Sequence, residues 1–70
     1  MNVTLNGEQK SIEENITVLQ LLESMNLEAK TIIVEKNEVI LERDNYASEL
    51  LTEGDSLELI RFMGGGAHVC

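Results

Sequence analysis

Thr17-Val18-Leu19-Gln20-Leu21-Leu22-Glu23-Ser24-Met25 is the stretch that decides how this chain folds. Thr17 is placed to accept a hydrogen bond from the backbone N–H three residues on. The Gln20 side chain can accept one from the Thr17 N–H in return, which is the reciprocal pairing of a capping box. Val18, Leu21, Leu22 and Met25 then fall at i, i+3, i+4 and i+7, so one helical face is apolar. Asn26 tolerates the left-handed backbone that commonly ends a helix. The spacing predicts one short helix over residues 18–25, whose apolar face has to lie across a sheet.

On both sides of that helix the pattern becomes that of strands. Met1-Asn2-Val3-Thr4-Leu5 alternates apolar and polar with period two, as a half-buried strand does. Asn6-Gly7 follows, the dipeptide best suited to a type I′ turn because both central positions need positive φ. A second strand over residues 9–12 pairs back. After the helix, Thr31-Ile32-Ile33-Val34-Glu35 is β-branched and apolar and reads as a strand buried on at least one face. Lys36-Asn37-Glu38 makes a polar turn, and Val39-Ile40-Leu41 opens the next pairing segment. Arg43-Asp44-Asn45-Tyr46 reads as a helical turn or irregular connector, with Tyr46 a packing residue and Leu50 and Leu51 returning to the core. Glu53-Gly54-Asp55 is a turn into a last strand, Ser56-Leu57-Glu58-Leu59-Ile60-Arg61. Leu57 and Leu59 should point inward, with Glu58 and Ile60 on the other face. Strands outnumber the single helix, and a helix crossing a small sheet is an α+β domain.

Length and charge narrow the function. Seventy residues allow one small domain, and a chain of this size buries only about 60% of its unfolded surface, which leaves little room for a deep active-site cleft. Thirteen acidic residues against five basic ones give a formal net charge of -8. That balance argues against nucleic acid, whose phosphates are neutralised by clustered Lys and Arg, and against anionic membranes. A hydrophobic content of 43% is enough to fold. One cysteine excludes an internal disulfide framework and fits a reducing compartment. No apolar run approaches the roughly 18 residues of a membrane span, and no basic-plus-apolar leader opens the sequence. The expectation is a cytoplasmic domain that is acted upon more than it acts.

The chemistry has to be sought in Phe62-Met63-Gly64-Gly65-Gly66-Ala67-His68-Val69-Cys70. Three successive glycines are costly to order and read as a flexible tail over residues 64–70, attached to a domain of residues 1–63. Side-chain-free backbone can thread a narrow tunnel in a partner enzyme and present a glycine carbonyl there. His68 and Cys70 do not make a metal centre, since a structural zinc site takes four ligands held by a fold. Nor do they make a nucleophile–base pair, because nothing rigid orients either group. Glu13-Glu14 is solvated surface charge, and a strongly negative surface speeds encounter with a basic docking face. Ile60, Phe62 and Met63, at the root of the tail, are the candidate docking residues.

In its strand and helix order, its Thr17-Val18-Leu19-Gln20-Leu21-Leu22 helix, its Ile32-Ile33-Val34-Glu35-Lys36-Asn37 strand, its Gly54-Asp55 turn and its closing glycines, the chain resembles the ubiquitin-like β-grasp sulfur carriers. Within them it is most similar to the ThiS family of thiamine thiazole synthesis, over residues 1–66. The resemblance implies a β-grasp fold, no catalytic residue, no metal and no cofactor of its own. It also implies that Gly66 is adenylated by an E1-like, ThiF-like enzyme and converted to a thiocarboxylate by a sulfur donor. The sulfur then passes to a ThiG-like thiazole synthase, with Gly64 and Gly65 threading the partner active site. Ala67-His68-Val69-Cys70 departs from the pattern, because Gly66 then has no free carboxylate. Relatives with such extensions lose them to a metalloprotease, which puts the expected cut between Gly66 and Ala67. Thiocarboxylate supply to cysteine, methionine, siderophore or molybdopterin synthesis remains open at this point. So does a β-grasp interaction module that carries nothing.

Overall fold

Asn6 and Gly7 make the turn their chemistry calls for. Both take positive φ, 50° and 85°, and reverse the chain between β1 (Asn2–Leu5) and β2 (Glu8–Ser11). The computed structural model of the protein describes residues 1–61. Pairing begins one residue earlier than the sequence suggested, but Ile12 extends it: Met1 and Ile12 exchange both backbone bonds, at 2.7 and 2.8 Å.

The helix α1 (Val18–Ser24) starts with the reciprocal cap read from the sequence. The Gln20 N–H donates to Thr17 Oγ1 at 3.1 Å, and the Thr17 N–H to Gln20 Oε1 at 2.9 Å. Met25 is its C-cap, and Asn26 takes the left-handed conformation, φ 60°. A 3-10 turn at Ala29–Thr31 leads into β3 (Ile32–Lys36). Asn37 and Glu38, with φ of 51° and 71°, turn the chain into β4 (Val39–Ile40). A second 3-10 turn at Arg43–Asn45 and an irregular stretch then bring it to β5 (Ser56–Arg61).

The five strands form one mixed sheet in the order β2-β1-β5-β3-β4. The last strand of the described chain is therefore the middle strand of the sheet, parallel to β1 and antiparallel to β3. Val18, Leu21 and Leu22 of α1 bury completely or nearly so against the sheet face that carries Val3, Val34 and Leu57. Among the described residues no helix is long and apolar enough to cross a membrane.

Tyr46 does more than pack. The strand β4 pairs with β3 only at Glu35 and Lys36, which leaves the rest of that edge of β3 without a neighbour. The phenol stands in for the missing strand: Tyr46 Oη donates to the Ile32 carbonyl at 2.8 Å and accepts the Val34 N–H at 3.1 Å. Buried backbone groups need partners, and here a side chain supplies both. Leu50 corrects the sequence reading. It is 53% exposed, while Leu51 is buried, because neighbouring residues in extended backbone point opposite ways and one of the two must face water. The Leu50 backbone instead bridges Thr17 at the mouth of the helix. The proposed tail, residues 64–70, lies outside the described residues.

Tyr46→Phe keeps the ring and removes the oxygen, leaving the buried Val34 N–H without a partner. The expected cost is about 1–3 kcal/mol of unfolding free energy, read by urea denaturation. Wild-type stability in Tyr46→Phe would show that the phenol is not completing the sheet edge.

Candidate functional site

The site is the outgoing end of β5 and the face it lies on, and its position depends on a polar lock at the start of that strand. The Asp55 side chain is 8% exposed and accepts on both oxygens. The Thr52 N–H donates to Oδ2 at 2.8 Å. The Thr52 hydroxyl and the Asn37 amide donate to Oδ1 at 3.1 and 3.0 Å. Asn37 in turn accepts the Ser56 N–H at 3.0 Å on its own side-chain oxygen, and donates its backbone N–H to the Ser56 carbonyl at 2.7 Å. Lys36 Nζ sits 2.6 Å from Glu49 Oε2 and 3.8 Å from Asp55 Oδ2.

These contacts set the charge states. Burial alone would push the Asp55 carboxyl up. The hydrogen bonds from the Thr52 N–H, the Asn37 amide and the Thr52 hydroxyl, with the Lys36 charge, outweigh it and hold the group below its ordinary 3.8. The hydrogen bond to Glu49 raises Lys36 above its ordinary 10.5 against the opposing effect of burial, helped by the charges of Asp55 and Glu49. Further along β5, Asn6 Oδ1 accepts the Leu59 N–H at 2.8 Å, so the first hairpin grips the strand as well.

The register decides what β5 shows to solvent. Ile60 lies directly opposite Ile33, Glu58 opposite Glu35, and Ile40 of β4 opposite Glu35. Paired residues share a face, so Ile33, Ile40, Ile60, Glu35 and Glu58 all lie on the side away from α1. Ile60 is 48% exposed and Ile40 67%. Of the candidate residues, Ile60 thus stands on an open face, and Leu57 points into the core as read, buried. Phe62, Met63, Gly64, Gly65 and Gly66 lie outside the described residues. Ile33, Ile40, Glu35 and Glu58 were not singled out for docking from sequence. Alternation placed Glu58 beside Ile60 on one face, but the cross-strand register that adds the others is not visible in a single strand.

On the helix side, an open trough between β2 and α1 is lined by Ile12, Ile16, Leu21 and Met25 and edged by Lys10 and Gln20. It holds no constellation for acid, base or nucleophilic work. Among the described residues no group of three or more His, Cys, Asp or Glu is placed to hold a metal ion.

Comparison with known proteins agrees with this geometry. The ThiS family model matches residues 3–66. The chain belongs to the ThiS family. The sulfur carrier protein ThiS of Bacillus subtilis is 38% identical over 63 residues, covering 89% of this chain and 96% of that one. The crystal structure of the thiamine biosynthesis protein ThiS from Geobacter metallireducens superposes with a TM-score of 0.81 at 35% identity, covering 94% of this chain and all of that one. The β-grasp fold expected from the sequence is thus the fold found. A thiazole synthase from Paramagnetospirillum magneticum is 33% identical over 67 residues, which are 96% of this chain but 21% of that protein. The chain therefore spans about a fifth of the length of that relative.

In this ThiS-family chain the Asp55 lock predicts a pH dependence. Its folded pKa is depressed, so its contribution to stability is full above 3.8 and drains away as pH falls through the folded value. Asp55→Asn sets an N–H against a donor whichever way the amide turns, since both oxygens of Asp55 accept. A loss of about 1–3 kcal/mol at neutral pH is expected, and the gap to wild type should narrow toward about pH 3. Thermal melts across that range decide it; a gap that stays constant or widens on acidification contradicts the assignment.

Proposed function

We propose that this ThiS-family protein carries sulfur for thiamine biosynthesis as a thiocarboxylate on Gly66, serving as a carrier for enzymes and not as a catalyst. The observation that carries the reading is the extent of the family match, which runs to residue 66, the last of the three glycines, and leaves Ala67-His68-Val69-Cys70 beyond it.

The chemistry follows from what a carboxylate lacks. In the sequence as it stands Gly66 is held in a peptide bond, so a metalloprotease first hydrolyses the bond to Ala67 and frees the carboxylate. An E1-like adenylating enzyme joins that carboxylate to AMP from ATP, with release of pyrophosphate. AMP is now the leaving group. A sulfur donor at the oxidation level of hydrosulfide attacks the acyl carbon, AMP departs, and Gly66 ends as a thiocarboxylate, ionised and nucleophilic at neutral pH. A thiazole synthase takes the sulfur. The similarity to the Paramagnetospirillum protein supports that acceptor, because there a stretch like this chain makes up 21% of a thiazole synthase.

The domain supplies the handle for these steps. Gly64 and Gly65 fit where a Cβ would not, and Ile60, Phe62 and Met63 meet the partner at the root of the arm. ATP-dependent loading places the cycle in the cytoplasm. The lack of a catalytic constellation on the described body suits a carrier whose acid, base and metal chemistry belongs to its partners.

Intact-mass spectrometry of the protein purified from its own cells tests the reading. The expected species ends at Gly66 with sulfur in place of one terminal oxygen. A full-length mass that stays unchanged after incubation with ATP, a sulfur donor and cell extract overturns it.

A further inference from the structure

We propose that the outer sheet face of β3, β4 and β5 is a two-part docking surface for a basic ledge on the thiazole synthase, with Glu35 and Glu58 as a paired receptor for an arginine or lysine. The inference rests on the carrier reading above and adds the surface and the chemistry of its partner.

Three features of the face point the same way. Ile33 and Ile60 sit directly across from one another, and Ile40 flanks Glu35 on the next strand. Ile40 and Ile60 are 67% and 48% exposed, two of the four large hydrophobic side chains the body leaves open. They share one face with the end of β5, the strand from which the chain runs on into the glycine tail. A partner that holds the tail is therefore brought against this face.

The second feature is a pairing that folding alone does not favour. Glu35 and Glu58 are directly opposite on adjacent antiparallel strands, an arrangement of like charges that destabilises a sheet. The ion pairs among the described residues are both made by Lys36, with Glu49 and Asp55, so neither of these two glutamates is neutralised within the described body. A local rule broken without compensation in the fold is expected at a functional surface. An arginine from outside meets both needs at once: its planar fork bonds carboxylates in pairs, and its charge relieves their repulsion.

The third feature is the overall field. A net charge of -8 attracts a basic surface, and the isoleucines beside the glutamates supply the apolar contact that electrostatic steering alone lacks. Arginine beside an apolar ledge is a composition to which protein interfaces are biased.

The test is calorimetric titration of the full chain into purified thiazole synthase from the same cells. Glu35→Gln with Glu58→Gln should weaken binding about tenfold while the melting temperature holds or rises, because the repulsion is gone. Ile40→Ala should weaken binding with an unchanged melting temperature. Glu13→Gln with Glu14→Gln removes the same charge elsewhere and should change binding less than about twofold. Wild-type affinity in the Glu35/Glu58 double variant, or an equal loss in both double variants, overturns the docking face while leaving the carrier reading intact. Failure of the wild-type chain to bind removes thiazole synthase as acceptor and this inference with it, whereas the Gly66 thiocarboxylate stands or falls on its own mass spectrum.

Discussion

The Asp55 carboxylate is the constraint on which the rest of the sheet depends. Its two oxygens tie together the Thr52 turn, the Asn37 turn and, through Lys36, the end of β3, and its own carbonyl accepts the Thr4 N–H at 2.9 Å. These segments are far apart in sequence, yet β5 has to slot between β1 and β3 in one register. A shift of one residue would turn Leu57 outward and Glu58 into the core. A carboxylate that accepts from several donors at once and leaves no buried atom unpaired specifies one position sharply, because any slip strands a charge. The loop-closure cost of bringing β5 to the centre is offset where that strand begins.

Placing the last strand in the middle of the sheet has a functional consequence. The tail departs from the rigid centre of the domain, where β3 flanks β5 out to Arg61, and not from a fraying edge. The two faces divide the work. One is covered by α1 and contains the core; the other is left to a partner. A domain of this size has little interior to spend on a cleft, and a carrier does not need one, since its partners hold the leaving group, the nucleophile and the water-free site. The cost of keeping one face free for partners is visible in exposed isoleucines and an opposed pair of glutamates.

Local chemistry made much of the fold legible. The capping box at Thr17 and Gln20, the left-handed Asn26 and the Asn6-Gly7 turn were all readable, because each is decided by atoms a few residues apart. The faces of β5 were readable from simple alternation. Leu50 was misread, since composition makes a leucine look like core and only the packing of Leu51 shows which neighbour gets the interior. Tyr46 was readable as a packing residue but not as the stand-in for an edge strand, a role that exists only because β4 stops after two residues. The Asp55 lock was read as a turn and nothing more, since its donors Asn37 and Lys36 arrive from another strand.

Sequence by itself determined the class of the domain, the glycine arm with Gly66 as its candidate reacting end, and the absence of any residue set suited to catalysis, because these follow from local pattern and from resemblance along the chain. Tertiary structure decided which side chains share the open face: Glu35 faces Glu58, Ile33 faces Ile60, and Ile40 stands beside them. The physical reason is register. Cross-strand neighbours are set by long-range hydrogen bonding and by one buried carboxylate, and no spacing within a single strand encodes them.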